Sequence, residues 1–251
     1  MELHRTHGRP FTSICFSGDG KKLIALDHWG NDVKLFSIDV PSGEVKPLTA
    51  GVPTLKQPMP VACSAPLGAI AAGKVVFEVL PDKKLKPKVI IELLDFGANR
   101  VLYHIDCVET VSRLAFSGDG SRLAAAHTDG RISFWKTNAN EQAITFKRPA
   151  DADAQLKFVM YDDLALSPNG QWLAAATMLS RNNLVESIAE IWNTATGMRS
   201  VIDKHPNAGL HFLADDRLIV ASRGQTSSFE FLAPSDWQTR NSALLPAVKT
   251  Q

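Results

Sequence analysis

With 251 residues, the chain is long enough to bury a full-sized core, as one large all-β domain or as two smaller ones. Its 45% hydrophobic and 21% charged residues are ordinary for a soluble globular protein. A net charge of +1 excludes the strong field that would draw the whole molecule to nucleic acid or to an anionic membrane.

The chain opens on a polar stretch, Met1-Glu2-Leu3-His4-Arg5-Thr6-His7, with no apolar run behind it, which argues against a signal peptide. A strand follows at Ile14-Cys-Phe16, where apolar residues alternate, and Gly18-Asp-Gly20 supplies the positive φ angles of a tight turn. The same window, Ile14-Cys-Phe-Ser-Gly-Asp-Gly-Lys-Lys-Leu23, returns in weaker form as Val61-Ala-Cys-Ser-Ala-Pro-Leu-Gly-Ala-Ile70. It returns closely as Leu114-Ala-Phe-Ser-Gly-Asp-Gly-Ser-Arg-Leu123 and Leu164-Ala-Leu-Ser-Pro-Asn-Gly-Gln-Trp-Leu173, then one residue shorter as Leu210-His-Phe-Leu-Ala-Asp-Asp-Arg-Leu218. An even period of roughly 50 residues is the mark of a repeat architecture.

Within a period the third window is the most readable. Leu123-Ala-Ala-Ala126 forms a second strand, His127-Thr-Asp-Gly130 a turn, Arg131-Ile-Ser-Phe-Trp135 a third strand with Ile132 and Phe134 on one face, and residues 142–146 a fourth. Repeated units of four short antiparallel strands build a β-propeller. The expected fold is therefore all-β: a single domain over 1–251, with blades over 10–55, 56–107, 108–155, 156–204 and 205–245. These either close as a five-bladed ring or form part of a larger propeller. Residues 3–5 are a candidate outer strand for the last blade, and residues 237–245 a competing one.

The stretch Phe116-Ser-Gly-Asp-Gly-Ser-Arg-Leu-Ala-Ala-Ala-His-Thr-Asp-Gly-Arg-Ile-Ser-Phe-Trp135 resembles a WD repeat, as does the fourth copy, ending Glu190-Ile-Trp-Asn-Thr-Ala-Thr-Gly197. The first copy is similar, with Thr6-His7-Gly8 placed like the Gly-His pair of that family. The resemblance is clearest over 3–37 and 108–200. It implies a buried set of Trp, Asp, His and Ser or Thr in each blade, onto which His7, Asp129, Trp135 and Trp192 map. Cys107 stands where the third copy would carry its His, Phe36 is read at the Trp position of the first, and the fourth carries a seven-residue insertion around 179–185 in its second hairpin.

Other motifs carry less chemistry. Gly68-Ala-Ile-Ala-Ala-Gly73-Lys74 has the spacing of a phosphate loop, but Val75 follows where a hydroxyl would hold Mg²⁺, so it reads as a Gly-rich strand. Lys83-Lys84-Leu85-Lys86-Pro87-Lys88 is a basic cluster without interleaved aromatics and reads as a solvated loop that discourages edge pairing. The apolar stretch 68–80, broken by Lys74 and Glu78, is too short and charged to span a bilayer. The seven histidines lack metal-ligand spacing, the adjacent pairs Asp162-Asp163 and Asp215-Asp216 should point to opposite faces of a strand, and no nucleophile elbow occurs. Cys15, Cys63 and Cys107 are odd in number, far apart and without CxxC spacing, which supports neither a zinc site nor a disulfide framework, and Cys15 and Cys63 sit in apolar strand-like runs that favour buried reduced thiols.

The resemblance implies an interaction scaffold bound to other proteins, the lack of a reactive constellation leaves it without catalytic activity, cofactor or metal, and the polar N-terminus and unpaired cysteines fit the cytoplasm. Trp29 at a hairpin tip and Leu184 in the insertion are the candidate partner contacts. Neither nucleic acid nor membrane is an expected partner, and an incomplete ring would self-associate. Two alternatives stay open: a lactonase- or hydrolase-like propeller enzyme with a central-channel site, and a propeller subunit or fragment completed by another chain.

Overall fold

The computed structural model describes residues 13–16, 21–29, 32–47, 60–64, 66–95, 100–138, 144–147, 156–181, 184–204, 208–222, 228–238 and 249–250. They fall into two compact units, Met1–Thr110 and Val111–Gln251. The first holds two four-stranded sheets, β1(Ser13–Phe16)-β2(Lys22–Trp29)-β3(Asp32–Asp39)-β4(Val45–Pro47) and β5(Val61–Ser64)-β6(Ala69–Val79)-β7(Leu85–Asp95)-β8(Arg100–Cys107). The second holds β9(Val111–Phe116)-β10(Arg122–His127)-β11(Ile132–Lys136)-β12(Ile144–Phe146), then β13(Leu156–Leu166)-β14(Trp172–Arg181)-β15(Leu184–Asn193)-β16(Arg199–Lys204), and three-stranded β17(Gly209–Phe212)-β18(Leu218–Ser222)-β19(Ser228–Leu232). Chain order and spatial order coincide in these runs and every neighbour is antiparallel, so each repeat folds as a meander.

The turn that recurs in sequence recurs in its hydrogen bonds. In the third sheet Ser117 Oγ donates to Asp119 Oδ1 and accepts from the Arg122 amide at 3.0 Å, while Asp119 Oδ1 accepts from the Ser121 amide at 2.9 Å. In the fourth, Ser167 Oγ donates to Asn169 Oδ1 at 3.0 Å and accepts from the Trp172 amide at 3.0 Å, and Asn169 accepts from the Gln171 amide at 2.9 Å. A hydroxyl at the end of the third strand then latches the turn: Thr137 Oγ1 donates to the Gly120 carbonyl and Thr194 Oγ1 to the Gly170 carbonyl, both at 2.7 Å. The fifth copy, one residue shorter, closes instead on Asp216, a non-glycine residue at φ +63°.

Each sheet is centred on one buried pair between its second and third strands: Leu23↔Ile38, Ile70↔Leu94, Leu123↔Trp135, Leu173↔Trp192 and Leu218↔Leu232. The register corrects one reading of the first repeat. Ile38, rather than Phe36, occupies the position of Trp135 and Trp192, because the hairpin beyond this pair differs in length from sheet to sheet and sequence offset misplaces its partner.

In the second unit successive sheets bury their faces against one another. Ala124, Ala126 and Phe134 of the third sheet pack with Tyr161, Leu164, Leu166 and Trp192 of the fourth. Trp172, Ala174 and Ile191 of the fourth pack with Leu210, Phe212, Leu218 and Val220 of the fifth. Trp237 joins this second cluster from a short helix, α1(Pro234–Gln238), edge-on to Trp172 at 5.7 Å and to Phe212 at 6.5 Å. Trp237 therefore starts no outer strand. Pro234 presets the first helical turn, and the buried indole holds α1 in place. A short strand β20(Lys249–Thr250) pairs with β12. Residues 3–5 and His7 lie outside the described residues.

Gly170, at φ +69°, shows why the turn demands its glycine: an added Cβ would run into the side chain of Arg122, whose guanidinium stacks over Phe134 at 5.3 Å. Gly170→Ala should lower stability by about 1–2 kcal/mol, a fall of roughly 2–8 °C in Tm. Asp216→Gly relieves the same conformation in the fifth turn and removes a buried oxygen, Oδ1, that has no partner among the described residues. It should raise stability by up to about 1 kcal/mol, and urea unfolding of both variants checks the opposite signs.

Candidate functional site

Among the described residues of the second unit, polar side chains link strands and sheets. Strand β13 bulges at Asp162, where its register with β14 shifts. The bulge turns the Asp162 carbonyl to accept from Arg113 Nε of β9 at 2.8 Å, and it sets Asp163 to accept from the Leu210 amide of β17 through Oδ2 and from the Leu164 amide through Oδ1, both at 2.8 Å. Burial raises the carboxyls of both Asp162 and Asp163 above their ordinary value. Tyr161 completes the link by donating to the Gly130 carbonyl at 2.6 Å, and Gly130, at φ +83°, packs directly against Val159.

The third strands carry the buried charge. Glu190 of β15 is fully buried; Oε1 accepts from both Nε (2.8 Å) and Nη2 of Arg199, and Oε2 accepts from Thr177 Oγ1 at 3.3 Å. In the first unit Glu92 of β7, likewise two residues before its anchor, is buried with Lys74 Nζ at 2.6 Å and His104 Nδ1 at 3.5 Å from Oε1. In β11 the matching residue is Ser133, whose Oγ lies 2.8 Å from His127 Nε2. Lys74, the last residue of the phosphate-loop-like motif, is thus held by Glu92 within strand β6.

Asp129 turns both carboxylate oxygens to Arg131, Oδ1 to its amide at 3.1 Å and Oδ2 to its guanidinium, at the tip of the β10–β11 hairpin. Trp135 and Trp192 are buried members of their anchor pairs, and Trp192 Nε1 has no hydrogen-bond partner among the described residues. Trp29 ends β2 opposite Asp32; its side chain lies outside the described residues. Leu184 is exposed, opposite Arg181.

The cysteines depart from expectation. Cys63 is disulfide-bonded and Cys107 is free. β5, which carries Cys63, lies beside β1, which carries Cys15, a juxtaposition that linear spacing does not reveal. The Cys107 thiol is pushed up to about 12, chiefly by burial and further by the charge of Asp106, so it is a poor nucleophile at neutral pH. Among the described residues no group of three or more His, Cys, Asp or Glu is placed to hold a metal, and no helix is long and apolar enough to cross a membrane.

Exposed apolar side chains gather at the long hairpins, which sequence reading located only in part. Cross-strand partners share a face, so the register Phe158↔Ser180↔Val185 and Met160↔Met178↔Ser187 sets Phe158, Met160, Met178 and Val185 together on β13–β15. Phe158, Met160 and Val185 are exposed. Leu184, next to Val185, points to the opposite side. In the first unit Phe77, Val79 and Leu85 are exposed on the β6–β7 hairpin. Their signal, the alternation Val75-x-Phe77-x-Val79 before Pro81-Asp82, was legible in the sequence.

Two predictions follow from the buried charges. Arg199→Met leaves Glu190 buried without its counter-charge and should cost about 3–5 kcal/mol, with much of the loss recovered in the Glu190→Gln/Arg199→Met double variant, as read by urea unfolding. Asp163 titrates higher folded than unfolded, so its contribution to stability is full below the ordinary value of 3.8 and is lost as pH rises through the folded value. The stability difference between the wild type and Asp163→Asn should shift against the wild type as pH rises through that window.

Comparison with known proteins agrees with this architecture. The family model for the WD domain, G-beta repeat, matches residues 100–136. A small ribosomal subunit protein RACK1 of Candida albicans is 40% identical over 67 residues, 27% of this chain but 18% of that protein, so the chain matches less than a fifth of its relative. The crystal structure of TolB from Acinetobacter baumannii superposes with a TM-score of 0.59 at 14% identity, covering 90% of this chain and 52% of TolB, a likeness of fold alone. Together with the recurrent turn and the four-stranded meanders, these matches place the fold in the β-propeller class and make residues 100–136 similar to a WD repeat.

Proposed function

We propose that the protein is an interaction scaffold that binds other proteins through the ends of its long hairpins, with no catalysis of its own. The observation that carries this reading is the patch of Phe158, Met160 and Val185, three exposed apolar side chains on one face of a single sheet, two on β13 and one on β15 across β14. Contiguous apolar surface on a rigid support is what a partner buries, and aromatic and Met side chains are enriched in such contacts. The WD-repeat match and the RACK1 relative support protein partners in general. The RACK1 relative, a ribosomal-subunit protein, also supports a cytoplasmic setting.

Phe158→Asp/Val185→Asp should leave the melting temperature near that of the wild type and weaken capture of co-purifying proteins by about tenfold or more. Failure to recover any stable partner under native conditions, or capture unchanged by the variant, would count against the scaffold.

A second reading rests on β19, the last strand of a three-stranded sheet among the described residues, which leaves Phe229 and Phe231 exposed on one face. Such an edge and face suit completion by another chain. Light scattering should then show association that Phe229→Ser/Phe231→Ser abolishes; a strictly monomeric wild type rejects this reading.

A further inference from the structure

The last strands of the four-stranded meanders differ in how they guard their edges. β4 carries Lys46 and Pro47, β8 carries exposed Arg100 and Asp106, and β16 carries Asp203 and Lys204. Charges and prolines of this kind keep a foreign strand from adding to a sheet. β12, Ile144-Thr-Phe146, carries neither. On its β11 side this strand is firmly held. All three residues pair there, and Phe146 is buried with its ring centroid 6.3 Å from that of Phe134. On its other side lies β20, pairing Thr145↔Thr250 and Phe146↔Lys249.

The seated segment shows what this edge accepts: an extended chain running antiparallel to β12, added as one more strand of the sheet. β20 uses two of the three positions, and Ile144, whose side chain is exposed, lies beyond its pairs. An occupant one residue longer pairs all three positions and sets a side chain beside Ile144, a place that suits a β-branched residue. Because β20 is part of the same chain, its tether holds it near the edge at a high effective concentration. A second copy would bring the same two-residue match against that advantage and gain nothing. A partner segment with the longer match gains one more pair and an apolar contact.

We propose that the β12 edge is a strand-addition site for an extended, β-branched segment of a partner protein, and that β20 caps it until such a segment displaces the cap. The site lies on a different sheet from the Phe158 patch and goes beyond the scaffold reading, whose capture test stands or falls independently. Binding of a fluorescent peptide to the full-length chain tests it. The probe carries residues 244–251 with Gln251→Val, and a control peptide adds Lys249→Pro/Thr250→Pro. The same Lys249→Pro/Thr250→Pro change in the protein removes both amides of the cap. That variant should bind the probe at least about tenfold more tightly than wild type and leave the control peptide unbound. Bound probe should also slow amide exchange at residues 144–146. If the double variant melts below wild type, Thr250→Pro alone carries the comparison. Equal affinity for wild type and variant, no binding by the variant, or protection confined to other strands overturns the proposal. A wild-type dimer in light scattering that the variant lacks assigns the edge to exchange between copies and overturns it as well.

Discussion

Sheets in this protein approach one another only because the middle of each second strand is nearly bare. In the third and fourth sheets three consecutive alanines fill the strand, and Ala124, Ala126, Ala174 and Ala176 are buried on the faces that meet the next sheet. A methyl group lets the aromatic and aliphatic side chains of the neighbouring sheet, Tyr161 and Leu164 on one interface and Phe212 and Leu210 on the next, reach the backbone. Larger residues there would separate the sheets and loosen every contact along the interface.

That constraint explains where polar chemistry resides. With alanine on the second strand, hydrogen-bonding side chains come from the third strand and its flanks: Glu190 with Arg199 and Thr177, Glu92 with Lys74 and His104, Ser133 with His127. The Trp-Asp-His-Ser set implied by the WD resemblance needs a hydroxyl on the second strand. Here a buried carboxylate or hydroxyl two residues before the anchor bridges strands in its stead. Such ion pairs weld the sheet while adding little net stability over an apolar core.

Much of the fold was legible in the residues. The Ser-x-Asp/Asn-Gly turn could be read because each residue in it satisfies a particular backbone group, and the Leu-Ala-Ala-Ala runs because small apolar strands leave that composition. Less legible were features set by register and by contacts distant in sequence. Ile38 could not be told from Phe36 as the anchor without the length of its hairpin. The bulge at Asp162 was hidden inside an apparently regular strand, and the neighbours of Cys63 and Glu92 come from other strands. Leu184 was found by the length of its insertion, yet the exposed patch beside it is built from Val185 and from Phe158 on another strand. The β6–β7 hairpin was overlooked because its repeat is the most diverged and its lysines read as loop.

The anchor pairs have one more implication. Beyond Lys74↔Ile90 toward its tip the β6–β7 hairpin is exempt from the packing that holds the core, and β6 and β7 run to 11 residues each, while β10 and β11 stop at 6 and 5 with Ala126 and Ile132 still buried. Foreign sequence grafted at the exposed Pro81–Lys84 tip of β6–β7 would meet that tolerance, making that corner a natural port for installing a new recognition loop on an otherwise unaltered framework.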